Sequence, residues 1–122
     1  DQDEGPNSAA MIEPMVETDA WLENLEEIVT REAGNAQFNV SQLAYDLHLS
    51  ERQLRRKIKT KTGLTPNQYF RCVKLEIARQ HLEDRRYETV SEVAYQVGFS
   101  SAHYFTKIYL AQYGKKPVEY LR

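Results

Sequence analysis

Hydrophobic positions along the chain fall into short helical registers, each opened by a capping residue and closed by a turn former. From Asp19, the positions Trp21, Leu22, Leu25, Ile28 and Val29 recur at helical spacing, with Gly34 and Asn35 read as the stop. Two later registers share one plan: Val40, Leu43, Ala44 and Leu47 in the first, Val90, Val93, Ala94 and Val97 in the second. Asn39-x-x-Gln42 and Thr89-x-x-Glu92 predict a capping box at the head of each. Between them, Thr65-Pro66-Asn67-Gln68 supplies a cap, a proline at the first helical position and a box partner. The helix this predicts runs from Pro66 to about Glu83 and carries Tyr69, Phe70, Val73, Ile77 and Leu82. At a rise of about 1.5 Å per residue it spans about 27 Å. Residues 1–18, rich in acids, Pro, Gly, Ser and Asn, show no period and are read as an acidic linker or disordered lead-in. A domain starting behind such a linker suggests that another stood ahead of it.

The shared plan is a duplication. VSQLAYDLHLS (Val40–Ser50) and VSEVAYQVGFS (Val90–Ser100) are identical at five of eleven positions at an offset of 50. Beyond the turn the offset becomes 51, and Leu54 matches Phe105, Gly63 matches Gly114, Pro66 matches Pro117 and Arg71 matches Arg122. Such self-similarity marks a repeated supersecondary unit. Each copy reads as helix, short turn, helix, with Ala44 and Ala94 small enough for a close crossing. Gly98 suits a left-handed turn residue, a place His48 takes in the first copy. The fold class is therefore all-α: two helix-turn-helix units joined by a long helix, about seven helices in all. The divisions are 19–64 for the first unit, 65–84 for the linker helix and 85–122 for the second.

Charge sharpens this picture. Residues 1–33 hold ten acids and one base, whereas residues 34–122 hold eight acids and fifteen bases, so a net charge of −2 conceals a basic body behind an acidic front. Six cations crowd into SERQLRRKIKTKTG, Ser50 to Gly63, against the one acid Glu51. As a helix this stretch puts Arg52, Arg55, Arg56 and Lys59 on one face and roots itself through Leu54 and Ile58. Ser50 with Gln53 forms its capping box and Gly63 its stop. A short capped helix with a basic outer face suits a DNA major groove.

Other chemistries find little support. His48, His81 and His103 lack metal-ligand spacing, no glycine-rich phosphate loop occurs, and no serine or cysteine sits in a nucleophile motif. The single Cys72 forms no internal disulfide, and neither a membrane-spanning run nor a signal-peptide pattern is present, so the expected compartment is the cytosol. No enzyme activity and no cofactor are expected.

The run TVSEVAYQVGFSSAHYFTKIYLAQYGKKPVEYLR resembles the DNA-binding domain of the AraC/XylS family of bacterial transcription regulators. It follows the pattern V-A-x-x-V-G-F, then Y-F, then G-x-x-P, and the resemblance covers about Asp19 to Arg122. It departs at Ile58 and Tyr109, where the family usually has Phe, and at the close, where Leu121 separates Tyr120 from Arg122. The first unit and the acidic helix before it are similar to output domains of large two-component regulators. The resemblance implies two recognition helices entering adjacent major-groove segments of promoter DNA, with RNA polymerase as a partner and a sensor, receiver or dimerisation domain upstream.

On that basis Arg52, Arg55 and Arg56 are candidate base readers, arginine being best suited to bidentate bonds with guanine. Lys57, Lys59 and Lys61 are candidate phosphate contacts. The second unit offers Ala102, His103, Thr106 and Lys107 toward bases, on a much less basic face, and it either reads bases or braces on the backbone. Ser41, Ser91, Ser100 and Ser101, near helix starts, are further phosphate candidates. Tyr45, Tyr95, Tyr104, Tyr109 and Tyr113 are read as core or edge residues. The competing reading is a helical interaction module whose basic face docks an acidic protein partner.

Overall fold

Side-chain caps start every α-helix of the computed structural model, which describes residues 19–122. The expected lead-in of residues 1–18 lies outside the described residues. In order the helices are α1 (Ala20–Glu32), α2 (Val40–Asp46), α3 (Glu51–Thr62), α4 (Pro66–Glu83), α5 (Val90–Gln96) and α6 (Ala102–Tyr113), followed by a 3-10 helix, Pro117–Leu121. No strand occurs among the described residues. The seventh helical element is thus a 3-10 turn and not an α-helix. It starts at Pro117 and runs for only five residues, opening with a Glu119 N–H to Lys116 carbonyl bond of 3.0 Å.

The capping boxes at Ser50/Gln53, Thr65/Gln68 and Thr89/Glu92 form as predicted. The fourth is corrected. Asn39 accepts from the Gln42 backbone N–H at 2.9 Å, but the Gln42 amide turns forward to Asp46 at 2.9 Å, so only half a box exists. Helix α1 ends at the expected stop, with Ala33 as its C-cap and Gly34 just beyond. Its last residue is Glu32, and Asn35 shapes the turn by bonding Glu32 and the Gln37 N–H, both at 2.9 Å.

The two turns are built alike. His48 (φ 59°) and Gly98 (φ 98°) both occupy positive φ, and the next residue in each, Leu49 or Phe99, bonds back to Ala44 or Ala94 at 2.9 Å. This is the Schellman closure, which sends Leu49 and Phe99 into their cores.

Each unit has its own core, and α4 serves both. The first cluster holds Leu25, Ile28, Val29, Val40, Leu43, Ala44, Leu54 and Ile58, with Tyr69, Phe70 and Val73 of α4 against it. The second holds Leu75, Ala78 and Leu82 of α4 with Val93, Ala94, Val97, Phe99, Phe105 and Tyr109. Leu75 and Ala78, not picked out by the sequence pattern, are among the most buried residues of α4 because both of its ends and two of its faces are used. Where the first unit has the aliphatic Leu49, Leu54 and Ile58, the second has Phe99, Phe105 and Tyr109. These stack in series at 5.3 and 5.6 Å, with Tyr113 4.6 Å beyond Tyr109.

Candidate nucleic-acid interface

Helix α3 is held by one face and shows the other to solvent. Leu54 and Ile58 are fully buried, while Arg52, Arg55, Arg56 and Lys59 are exposed. Both ends are fixed: the Ser50 hydroxyl accepts from the Gln53 N–H at 3.1 Å, and the Gly63 N–H donates to the Lys59 carbonyl at 2.9 Å. Arg55 lies 3.6 Å from Glu51 one turn earlier, a loose surface pair that leaves its side chain half exposed. No acid stands within ion-pair range of Arg52 or Arg56 among the described residues. Helix α3 is thus fixed at both ends, with a solvent-facing row of Arg52, Arg55 and Arg56.

The three lysines of α3 have work inside the protein. Lys57 lies 4.6 Å above the Trp21 ring, Lys61 is ion-paired with Asp19, and Lys59 donates to the Gly63 carbonyl at 3.0 Å. Lys57 and Lys61 therefore lean toward α1, away from the arginine face. Ser41 donates its hydroxyl to the Glu51 carboxylate, so an anion already stands where a phosphate was expected. The sequence placed these four in one class; the structure gives each a separate intramolecular partner.

In the second unit His103 and Lys107 are exposed, and Ala102 and Thr106 are half-buried on α6. Ser101 caps α6 by accepting from the Tyr104 N–H at 3.1 Å, and Ser91 and Ser100 are exposed. Lys107 is the one fully charged side chain of α6. The two helices are equivalent in backbone and unequal in charge.

The sequence reading missed two cations on α4. Arg71 and Lys74, three residues apart on one face, line a cleft of about 320 Å³ between the units, together with Asn39, Asn67, Phe99 and Tyr104. Arg71 donates to the Tyr104 hydroxyl at 3.3 Å, and burial holds the Lys74 ammonium below the ordinary lysine range. The i, i+3 spacing was the available signal, but only the fold shows that this face opens between the units. Tyr45 and Tyr95 correct the reading of core or edge, both being exposed, Tyr45 by 77%, whereas Tyr104 lies at the edge of the core against Phe99. Tyr45 and Tyr95 directly follow Ala44 and Ala94, and in such short helices the residue after the buried one points outward.

Two helix-turn-helix units, each with a capped second helix facing solvent, make a tandem helix-turn-helix DNA-binding domain. Comparison with known proteins agrees. A family described as "Helix-turn-helix domain" (HTH_18) matches residues 43–122, and the chain belongs to this AraC/XylS family, whose domain is a DNA-binding module of transcription regulators and not an enzyme. It is 35% identical over 94 residues to "Histidine kinase P4" of Formosa agariphila, covering 77% of this chain and 7% of that protein. It is 34% identical over 98 residues to the HTH-type transcriptional activator RhaR of an Enterobacter species, covering 79% of this chain and 34% of the relative. The C-terminal domain of the two-component response regulator YesN from Fusobacterium nucleatum superposes with a TM-score of 0.72 at 26% identity, covering 85% of this chain and 100% of that one. The DNA-binding domain of AdpA, solved in complex with a target DNA, superposes with a TM-score of 0.71 at 28% identity, covering 82% and 88%. The chain thus spans a small fraction of the kinase and about a third of RhaR. No helix among the described residues is long and apolar enough to cross a membrane.

Proposed function

We propose that this domain reads promoter DNA with two heads, α3 and α6 entering adjacent major-groove segments. It does so as the output module of a larger, signal-responsive activator in the bacterial cytoplasm. The observation that carries the reading is the exposed Arg52–Arg55–Arg56 face on a helix capped at both ends. In this reading the arginines address base edges, and Ser91, Ser100 and Ser101 meet phosphates, joined by Lys59 when its ammonium leaves the Gly63 carbonyl. Ala102, His103, Thr106 and Lys107 make the weaker second contact. Lys57, Lys61 and Ser41 join the phosphate set only by leaving their internal partners. The upstream sensor or receiver domain, the linker role of residues 1–18 and contact with RNA polymerase complete the proposal. They are supported by the likeness to a kinase, a response-regulator domain and an activator, each in its own protein.

Selection of bound sequences from a random duplex library at near-physiological salt tests it. Two enriched blocks about one helical turn apart are expected. One block alone would reduce the reading to α3. Salt-sensitive binding without enrichment would leave charge sensing only. No binding would favour a basic face that docks an acidic protein.

A further inference from the structure

The two units meet directly where one turn touches another. Helices α1 and α3 pack on α4, as do α5 and the 3-10 helix, while α6 packs on α5. The two apolar clusters share no residue. Beside this shared rod, the α1–α2 connection at Ala33–Gly34 faces the end of α5 at Gln96 and the turn after it at Gly98. A Cβ at Gly34 would stand 2.9 Å from the Gln96 carbonyl oxygen. A Cβ at Gly98 would stand 2.3 Å from the Ala33 carbonyl oxygen and 3.3 Å from the Lys74 Cε. Each glycine thus faces the other turn's carbonyl, and the obstacle is backbone, which cannot swing aside as a side chain does.

His48 shows that the turn itself does not demand this. At the equivalent place in the first unit a full side chain sits at φ 59°, exposed. In the second unit φ opens to 98°, and the Ala33 carbonyl fills the space where a Cβ would go. The glycine at 98 therefore answers to the neighbouring unit as well as to its own turn.

We propose that Gly34 and Gly98 are positioning residues which set the separation of the two reading helices. Their paired approach closes the units on each other beside α4, and this fixes how many base pairs separate the two contacted blocks. Gly98 lies in the turn that feeds α6, so displacing it moves the N-terminal end of α6, which carries Ala102, His103 and Thr106. The proposal rests on the two-head reading above.

The test measures affinity for operators whose blocks are at the selected separation, or one or two base pairs closer or farther. The proteins compared are the unaltered protein, Gly34→Ala and Gly98→Ala. The φ of Gly34 is ordinary, so Gly34→Ala adds only the clash with Gln96 and serves if Gly98→Ala fails to fold. Far-UV circular dichroism and denaturant unfolding monitor folding. The unaltered protein is expected to prefer one separation sharply. Gly34→Ala is expected to lose roughly tenfold at that separation, as the second head falls out of register, and to bind a neighbouring separation comparatively better. The sequence preference within each block should not change, which a general loss of folding would not produce. A folded Gly34→Ala with unchanged affinity and unchanged spacing preference overturns the proposal. An unaltered protein that enriches a single block overturns the two-head reading, and the spacing role with it, before any variant is compared.

Discussion

Lys61, in the last turn of α3, is ion-paired with Asp19, whose carboxylate also caps α1 by accepting from the N–H groups of Trp21 (3.0 Å) and Leu22 (3.2 Å). One carboxylate therefore ties the end of α3 to the start of α1.

This joint should make the first unit sensitive to acid. The hydrogen bond from Lys61, then the backbone bond from Leu22, hold the Asp19 carboxyl below its ordinary value. A carboxyl depressed on folding adds stability that is present above its unfolded pKa, about 3.9, and is lost as pH falls through the folded value. Asp19→Asn keeps a good cap and removes the charge. Its thermal midpoint should fall below that of the unaltered protein at pH 7, and the gap should narrow below about pH 4. A gap of constant size from pH 7 to pH 3 would show that the ion pair contributes nothing.

On the proposed two-head reading, α3 and α6 should be unequal. Arg56→Ala should weaken specific binding by roughly 10- to 100-fold, the range of about 1–3 kcal/mol for a bidentate base contact. Lys107→Ala should cost less and should mainly reduce the salt dependence, by a slope of about one. Titrations at several salt concentrations separate the two effects, and the reverse order of losses would refute the asymmetry.

Lys57 should matter to the fold more than to DNA. Its ammonium lies over Trp21, the only tryptophan, so Lys57→Met should change tryptophan emission. It should also lower stability modestly, by about 0.5–1 kcal/mol if the contact behaves as exposed cation–π pairs do. The slope of log affinity against log salt should stay as it was. A slope reduced by about one would return Lys57 to the phosphate contacts.

Within the aromatic core of the second unit, the Tyr109 hydroxyl donates to that of Tyr120 at 2.9 Å. Tyr109 is fully buried, and burial first, then the bond with Tyr120, raises its pKa. Tyr109→Phe should cost about 1 kcal/mol in denaturant unfolding, since Tyr120 is only partly buried and can turn to water. Tyr109→Ala should cost about 3–5 kcal/mol, because it opens a cavity between Phe105 and Tyr113. Equal losses for the two changes would mean that the hydroxyl, and not the ring, holds this core together.

Periodicity and capping chemistry are local, so the chain itself determined where helices begin, which faces they bury and that the helix-turn-helix plan occurs twice. Ser50 with Gln53, Thr65 with Gln68 and Thr89 with Glu92 are legible because each partner lies three residues away. The arginine face of α3 was legible for the same reason: Leu54 and Ile58 fix which side is inside. Contacts between residues far apart in sequence were left to the tertiary structure. It decided that Lys61 answers Asp19 and Lys57 covers Trp21, that Arg71 and Lys74 open onto a cleft between the units, and that Gly98 meets the Ala33 carbonyl. A local pattern says which way a side chain points from its own helix; what it meets there depends on how distant segments pack around α4.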